Sequence, residues 1–277
     1  MKLKNLKITG LLLVLSSIFW YSCVPLKEVG AFSACSQQTL LGFRFTYGYA
    51  EYCSDSCYVF NTHAQFLKDV ECDCKRDTSL DTLLKNEFAI IGAYYAGLRK
   101  LSGGSLINFA PIGNSITAGT YGGVVITSTE QSVFNGLATA ASDLITLSYK
   151  TKEIKKIIAK YDKTAQTALG MLALHMDNLE SKIRVMNTFY GTRANVLLKN
   201  AADDSERWLI IATYKQKTRE FASEAKVYDN FQKTIKTIIK GDSLLSAHIT
   251  NLNDDSFKKK ILVIAGDISY LSSNSND

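Results

Sequence analysis

Six cysteines carry the most distinctive chemistry of this chain, and all of them fall between residues 23 and 74. Thiols in such a cluster can form disulfides, bind a metal ion as thiolates or exchange electrons as a redox pair. The rest of the 277 residues contain no cysteine. Because a short stretch with little core gains most from covalent bonds, the clustering predicts a small crosslinked region. The six are Cys23, Cys35, Cys53, Cys57, Cys72 and Cys74.

Disulfides are favoured over a metal site for these thiols. Cys53-x3-Cys57 and Cys72-x-Cys74 offer the four sulfurs of a structural zinc site, but the second spacing is too short for a usual zinc knuckle. No Cys-x-x-Cys motif precedes a helix, which disfavours a redox-active pair. We predict that the first two of these cysteines bond to the last two, in an order that the sequence leaves open. Cys35 is the expected unpaired thiol.

The first 22 residues have the pattern of an export signal. Three lysines precede an apolar run from about Leu11 to Trp20. A cationic start followed by a short apolar run is recognised by the secretion machinery, whereas a membrane-spanning helix needs about 20 apolar residues. We therefore expect residues 1–22 to be a signal peptide that directs the chain across the inner membrane into an oxidising compartment.

Cys23 follows the apolar run directly, with the small residue Ser22 before it. This arrangement resembles the lipobox of bacterial lipoproteins, which implies that the Cys23 thiol is acylated and becomes the first residue of the mature chain. Two or three acyl chains, at ~0.8 kcal/mol per buried methylene, would hold the protein on a lipid bilayer. The expected location is then membrane-anchored, in the periplasm or at the cell surface. The alternative is a cleaved signal that leaves Cys23 as a disulfide partner.

Ser115 lies in a charge-free stretch between Lys100 and Glu130 that is rich in Gly, Ser, Thr and β-branched residues. This composition predicts a loop or hairpin insertion over 102–129, which would bury against the body, contact a membrane or bind a partner. Within it, Gly113-Asn114-Ser115-Ile116-Thr117-Ala118-Gly119 looks like the first block of SGNH-type esterases. By that resemblance Ser115 would be a nucleophile. The remaining sequence lacks the alternating strands and helices of that fold.

No other group of polar residues forms a recognisable catalytic or metal-binding motif. His63, His175 and His248 are isolated, and the sequence has neither a phosphate-binding Gly-Lys loop nor a dinucleotide fingerprint. Lys plus Arg exceeds Asp plus Glu by six, but three of these lysines lie in the predicted signal. So small an excess gives no argument for nucleic acid. We expect no cofactor, and a binding protein is favoured over an enzyme.

From Asp81 onward, apolar residues recur three and four positions apart, which predicts a helical body over residues 80–273. The first helix is predicted from Asp81, as its N-cap, to Leu101, and the last from Ser256 to Leu271. Breaks are expected near 161–163, 200–203 and 241–242. Long helices joined by short loops pack antiparallel. The predicted fold class is mainly α, an elongated antiparallel bundle of about four helices behind a small disulfide-stapled N-terminal segment, residues 23–79.

Three finer patterns accompany this prediction. The apolar stripes predicted to form the core run through 133–197 and then from Trp208 through Ile211 to Ile238. The alternating aromatics of Phe43–Tyr49 predict a half-buried strand. Six lysines are predicted to gather near a helix C-terminus, either as a solvated face or as a grip on anionic headgroups or acidic glycans. These lysines are Lys150, Lys152, Lys155, Lys156, Lys160 and Lys163.

The sequence as a whole predicts a cell-envelope lipoprotein that acts as a binding or scaffolding module. Its expected partners are a lipid bilayer, reached through the acyl anchor, and an envelope protein. One alternative is an SGNH-like esterase that uses Ser115. The other is a component of a surface assembly that docks through residues 102–129.

Overall fold

A computed structural model of the protein describes residues 26–60, 72–103, 116–121, 124–147 and 151–273. Over these residues the chain forms seven helices and one two-stranded hairpin, so the predicted mainly α fold class is confirmed. No helix in these ranges has the length and apolar character to span a membrane. The helices are α1 (Lys27–Gly42), α2 (Tyr49–Phe60), α3 (Lys75–Leu101), α4 (Ser128–Thr146), α5 (Thr151–Asn200), α6 (Asp204–Ala247) and α7 (Asp255–Ser273), and the strands are β1 (Gly119–Tyr121) and β2 (Val124–Ile126).

The two longest helices, α5 and α6, form an antiparallel hairpin along which the other helices pack. α5 has 50 residues and α6 has 44, which at 1.5 Å per residue gives lengths of about 75 and 65 Å. The apolar stripe predicted for α5 is confirmed as core, because its members are fully buried from Leu169 to Met186. Further along the hairpin, the ring of Tyr190 on α5 lies 5.3 Å from that of Phe221 on α6.

α1 and the segment that follows it run antiparallel to α6. Phe32 contacts the backbone at Gly241, and the ring of Phe43 lies 4.1 Å from that of Phe231. A side chain at Gly241 would collide with Phe32, so this glycine is a close-packing position. The helix break predicted at 241–242 is therefore wrong: α6 continues through the glycine to Ala247.

Two other predicted boundaries need correction. α5 continues through 161–163, where no Gly or Pro interrupts the backbone hydrogen bonds. Instead, α4 ends at Thr146 and α5 begins at Thr151, although no break was predicted between residues 133 and 161. The break at 200–203 is confirmed, since α6 begins at Asp204 with Asp203 as its N-cap.

α3 begins at Lys75, so Asp81 lies inside this helix and is not its N-cap as predicted. The Asp81 carboxylate caps a neighbouring helix instead, because its two oxygens accept hydrogen bonds from the backbone amides of Tyr49 and Ala50 at 2.8 and 3.0 Å. Capping of this kind satisfies amides that have no partner in the first turn of α2.

α3 and α4 run parallel to each other, contrary to the antiparallel packing expected of consecutive helices. Gly97 of α3 packs against Leu144 of α4, and the Lys100 ammonium donates to the carbonyl of Ile145. Both helices therefore end at the same side of the bundle. The hairpin of β1 and β2 lies within the predicted 102–129 insertion, with Gly119 paired to Ile126.

The strand predicted over Phe43–Tyr49 is absent. This segment is an extended linker between α1 and α2 that pairs with no strand. Its aromatic side chains alternate because one side faces the helices: Phe43 stacks on Phe88 at 5.6 Å, whereas Arg44 and Thr46 are exposed. The alternation correctly predicted half-burial, but an extended chain lying on helices has the same pattern as a strand.

Candidate partner-binding site

The α5–α6 hairpin extends beyond the rest of the bundle. The last aromatic layer consists of Tyr190, Tyr214 and Phe221, with Tyr47 of the linker packed 5.3 Å from Phe221. Between Tyr190 and Phe221 along the chain, residues 191–220 contain a single buried side chain, Ile210, at 9% exposure. We call these residues the tip.

The tip exposes large apolar side chains that a helix in a monomer normally buries. Trp208 is 74% exposed, Leu209 67% and Ile211 47%, all within the first two turns of α6. Trp208 and Ile211 were predicted to be core, which is wrong, because the helices that cover this stripe elsewhere end before the tip. A group of exposed apolar residues at one place on a soluble surface marks a contact site.

A shallow groove of about 610 Å³ runs beside these residues. It combines an apolar wall with two cations, Lys199 and Arg207. Arg and Trp are the side chains most often found at the energetic centre of protein interfaces. The lining residues are Asn195, Leu198, Lys199, Arg207 and Ile211.

The turn that joins the two helices at the tip is fixed by its own acidic residues. Asp203 accepts from the backbone amide of Glu206 at 2.8 Å, and the Glu206 carboxylate accepts from the amide of Ala202 at 2.7 Å. These carboxylates are thus engaged by the backbone. The tip presents its apolar side chains from a turn that is already ordered.

Two disulfides join α2 to the start of α3, and disulfide crosslinking of the N-terminal region is confirmed. Cys53 is bonded to Cys74 and Cys57 to Cys72, with Cα–Cα distances of 5.7 and 6.2 Å. The structure thereby gives the order that the sequence left open, in which one bond is nested inside the other. All four sulfurs are consumed by these bonds and are not available as thiolates for a metal.

Cys35 is a free, half-buried thiol on α1. Burial raises its pKa, while the charge of Arg99 opposes this effect. The protonated thiol is the poor nucleophile of the two forms. Cys35 is therefore a packing residue of α1 in this structure.

A second groove, of about 530 Å³, lies beside the linker between α1 and α2. Phe43, Phe45 and Phe88 provide its apolar floor, and Arg44 and Lys85 are at its rim. Its two carboxylates cap α2, since Asp81 and Glu51 accept from backbone amides. The carboxylates of this groove therefore hold the end of the linker and the start of α2 in place.

The bundle contains two buried polar pairs that were not predicted from the sequence. His175 on α5 lies 2.9 Å from the fully buried Glu87 on α3, and Tyr95 on α3 donates to the buried Asp242 on α6. Burial opposes protonation of His175, but the hydrogen bond and charge of Glu87 outweigh it and raise the pKa of the imidazole. In the sequence, each of these residues is a single polar residue in or beside an apolar stripe. The periodicity of the stripe does not indicate that such a residue has a buried partner on another helix.

Burial raises the pKa of Asp242 well above its ordinary range; the hydrogen bond from Tyr95 opposes this effect and the charge of Asp162 adds to it. Burial therefore favours the protonated form of the Asp242 carboxyl group. Such a carboxyl group could donate a proton in catalysis, but Asp242 is only 2% exposed and packs inside the bundle. We assign it a structural role.

Cys23, the predicted site of acylation, and Ser115, the candidate nucleophile, both lie outside the described residues. The structure accordingly gives no geometry for either chemistry. No family model matches the chain, and no curated protein or solved structure is significantly similar to it.

Proposed function

We propose that this protein is a membrane-anchored binding module of the cell envelope, which holds an apolar helical tip away from the membrane for a protein partner. The observation that carries the proposal is that the start of α1 and the tip lie at opposite ends of α6. α1 begins beside the C-terminal end of α6, whereas the tip lies at the N-terminal end of α6. From Gly241 to Asp204 is a distance of about 55 Å along a straight helix.

The anchor in this proposal is the acylated Cys23. Leu26, three residues later, is already buried in the bundle at 1% exposure. Three extended residues span about 10 Å, so the acyl chains would hold the bundle close to the bilayer by the end that is farthest from the tip. In cells, Cys23→Ser should release the protein from the membrane fraction, and continued retention would contradict the anchor.

The partner in this proposal is a protein that covers Trp208, Leu209 and Ile211. A photoreactive amino acid at position 208, in the full chain in intact cells, should crosslink to one heterologous protein. The matched control is position 270, where Tyr270 is 69% exposed on α7, far along the chain from the tip. Adducts of equal yield at both positions, or an adduct only to a second copy of this chain, would overturn the proposal.

The esterase alternative has its own test. Wild-type protein and Ser115→Ala should be equally inactive on a short-chain ester such as p-nitrophenyl acetate. Hydrolysis that disappears in the variant would favour the enzyme and count against a pure binding role.

A further inference from the structure

One end of the bundle contains the start of α1 together with one end of each of α3, α4, α5, α6 and α7. Gly30 of α1 lies against Ser102 at the end of α3, and Lys155 near the start of α5 donates to the carbonyl of Thr250 at 2.7 Å. The ring of His248 lies 5.4 Å from that of Phe257 on α7. We call this end the base, formed by residues 26–31, 97–103, 143–147, 151–160 and 246–260.

The base is strongly cationic. Its residues include ten Lys and Arg against five Asp and Glu. Two of the five carboxylates are already paired locally, Glu153 with Lys156 at 3.0 Å and Asp255 with Lys258 at 3.6 Å. The lysines exposed at this end are Lys27, Lys152, Lys156, Lys160, Lys259 and Lys260.

The dipoles of α5 and α7 do not explain the lysines that these two helices contribute to the base. The lysines predicted to lie near a helix C-terminus lie instead near the N-terminus of α5: four of them fall in its first three turns and Lys163 in the fourth, while Lys150 is outside the described residues. Lys258, Lys259 and Lys260 likewise fall in the first two turns of α7. Positive charge is unfavourable at a helix N-terminus. The C-terminal ends of α3, α4 and α6 favour cations, and Lys100 and Lys155 donate to backbone carbonyls at this end. The exposed lysines of α5 and α7 add further positive charge, which makes this end a cationic surface.

We propose that the base is a docking surface for the anionic phospholipid headgroups of a bilayer. The positive charge of the base complements such headgroups, and residues 1–25 join the bundle at Leu26, within the base. The inference rests on the proposed anchor for its geometry. An acyl group at Cys23 would hold the base about 10 Å from the headgroups, which is near the screening length at physiological salt.

The test uses the mature protein as cells produce it, mixed with vesicles of phosphatidylcholine alone or of phosphatidylcholine with phosphatidylglycerol. Acetylation of lysines, read by mass spectrometry, reports which side chains the membrane covers. With phosphatidylglycerol, Lys152, Lys259 and Lys260 should react several-fold more slowly, while Lys199 and Lys215 at the tip stay unchanged. Equal acetylation of the base in both vesicle types would overturn the proposal.

A charge-reversal pair makes the test specific. Lys259→Glu with Lys260→Glu should remove most of the protection of the remaining base lysines, since each cation near an anionic surface adds to the attraction. The matched control reverses Lys215 and Lys217 at the tip and should leave protection unchanged. In 1 M NaCl, where the screening length is about 3 Å, the difference between vesicle types should vanish. Equal effects of the two double variants would contradict a docking surface at the base.

Failure of the anchor is read separately, by flotation with the phosphatidylcholine vesicles. Protein that floats with neutral vesicles is held by its acyl chains, and protein that does not float lacks the anchor. In either case, the acetylation of the base lysines is compared between vesicles with and without phosphatidylglycerol. An unanchored protein whose base binds anionic headgroups would float only with the anionic vesicles. Absence of flotation with both vesicle types would overturn both proposals.

Discussion

At the scale of single residues, the most informative side chains are the polar ones buried between helices. Glu87 with His175 and Tyr95 with Asp242 connect α3 to α5 and to α6. A buried carboxyl group is tolerated only when it is hydrogen-bonded or neutral. These pairs therefore specify which helix faces meet, and they also make the stability of the bundle depend on pH.

We predict that the free energy of unfolding falls as the pH rises above about 4. Burial raises the pKa of Asp242 in the folded state, whereas an unfolded Asp ionises near 3.9. The folded state then binds more protons than the unfolded state, so stability decreases with pH. Asp242→Asn keeps an acceptor for the Tyr95 hydroxyl and removes the titrating group.

Urea unfolding from pH 4 to pH 8 checks this prediction. Asp242→Asn should show a shallower fall than wild type and should be the more stable of the two at pH 8. Part of the slope that remains comes from His175, whose raised pKa gives stability below about pH 6.5 that is lost at higher pH. Glu87, Asp162 and Asp77 contribute with the same sign, because burial raises the pKa of each carboxyl group. Identical slopes in the two proteins would show that Asp242 is not protonated in the bundle.

At the scale of elements, helix positions could be predicted from the sequence much better than helix ends. The stripes of α3, α5 and α7 follow from periodicity, because helix faces bury every third or fourth residue. The ends depend on neighbours: Asp81 looks like an N-cap of its own helix but caps α2, and Gly241 looks like a stop but accommodates Phe32. Such contacts join residues far apart in sequence and leave no local pattern.

The closeness of α3 and α4 can be tested at a glycine. A Cβ atom at Gly97 would collide with the side chain of Leu144, so Gly97→Ala should lower the free energy of unfolding by about 1–3 kcal/mol. The control is Gly170→Ala on the exposed side of α5, where nothing lies within 4 Å of a Cβ atom. That change should raise stability by roughly 0.5–1 kcal/mol. A neutral or stabilising effect at Gly97 would contradict the close contact between α3 and α4.

The disulfides should control the stability of α2. This helix has 12 residues, which is too short to be stable alone in water. Reduction of Cys53–Cys74 and Cys57–Cys72 should lower its local stability by about 3 kcal/mol. Hydrogen exchange of residues 49–57 should then accelerate strongly, while α5 and α6 stay protected.

Cys35→Ser serves as the control for reduction, because Cys35 is in no disulfide and the substitution should leave exchange in α2 unchanged. Unaltered exchange in α2 after full reduction would show that Asp81 and the aromatic contacts hold this helix without the crosslinks.

At the scale of the whole molecule, the base and the tip lie at opposite ends of the longest helices. The cationic base contains the start of α1 and the ends of α3 and α4, whereas in the described part of the chain the apolar tip is formed by α5 and α6. The three- and four-residue spacing of apolar residues predicted the helical body. The tip could not be predicted, because Trp208 and Ile211 fit the core stripe, and only the ends of the other helices decide where the core stops.

The distance of each end from the membrane tests the account most directly. A fluorophore is attached at position 27 or at position 208 of the mature protein on vesicles that carry a quencher among their headgroups. We predict strong quenching at position 27, at the start of α1, and no quenching at position 208. Quenching of position 208, or of neither position, would contradict a molecule that is anchored by its base and extends its tip into the envelope.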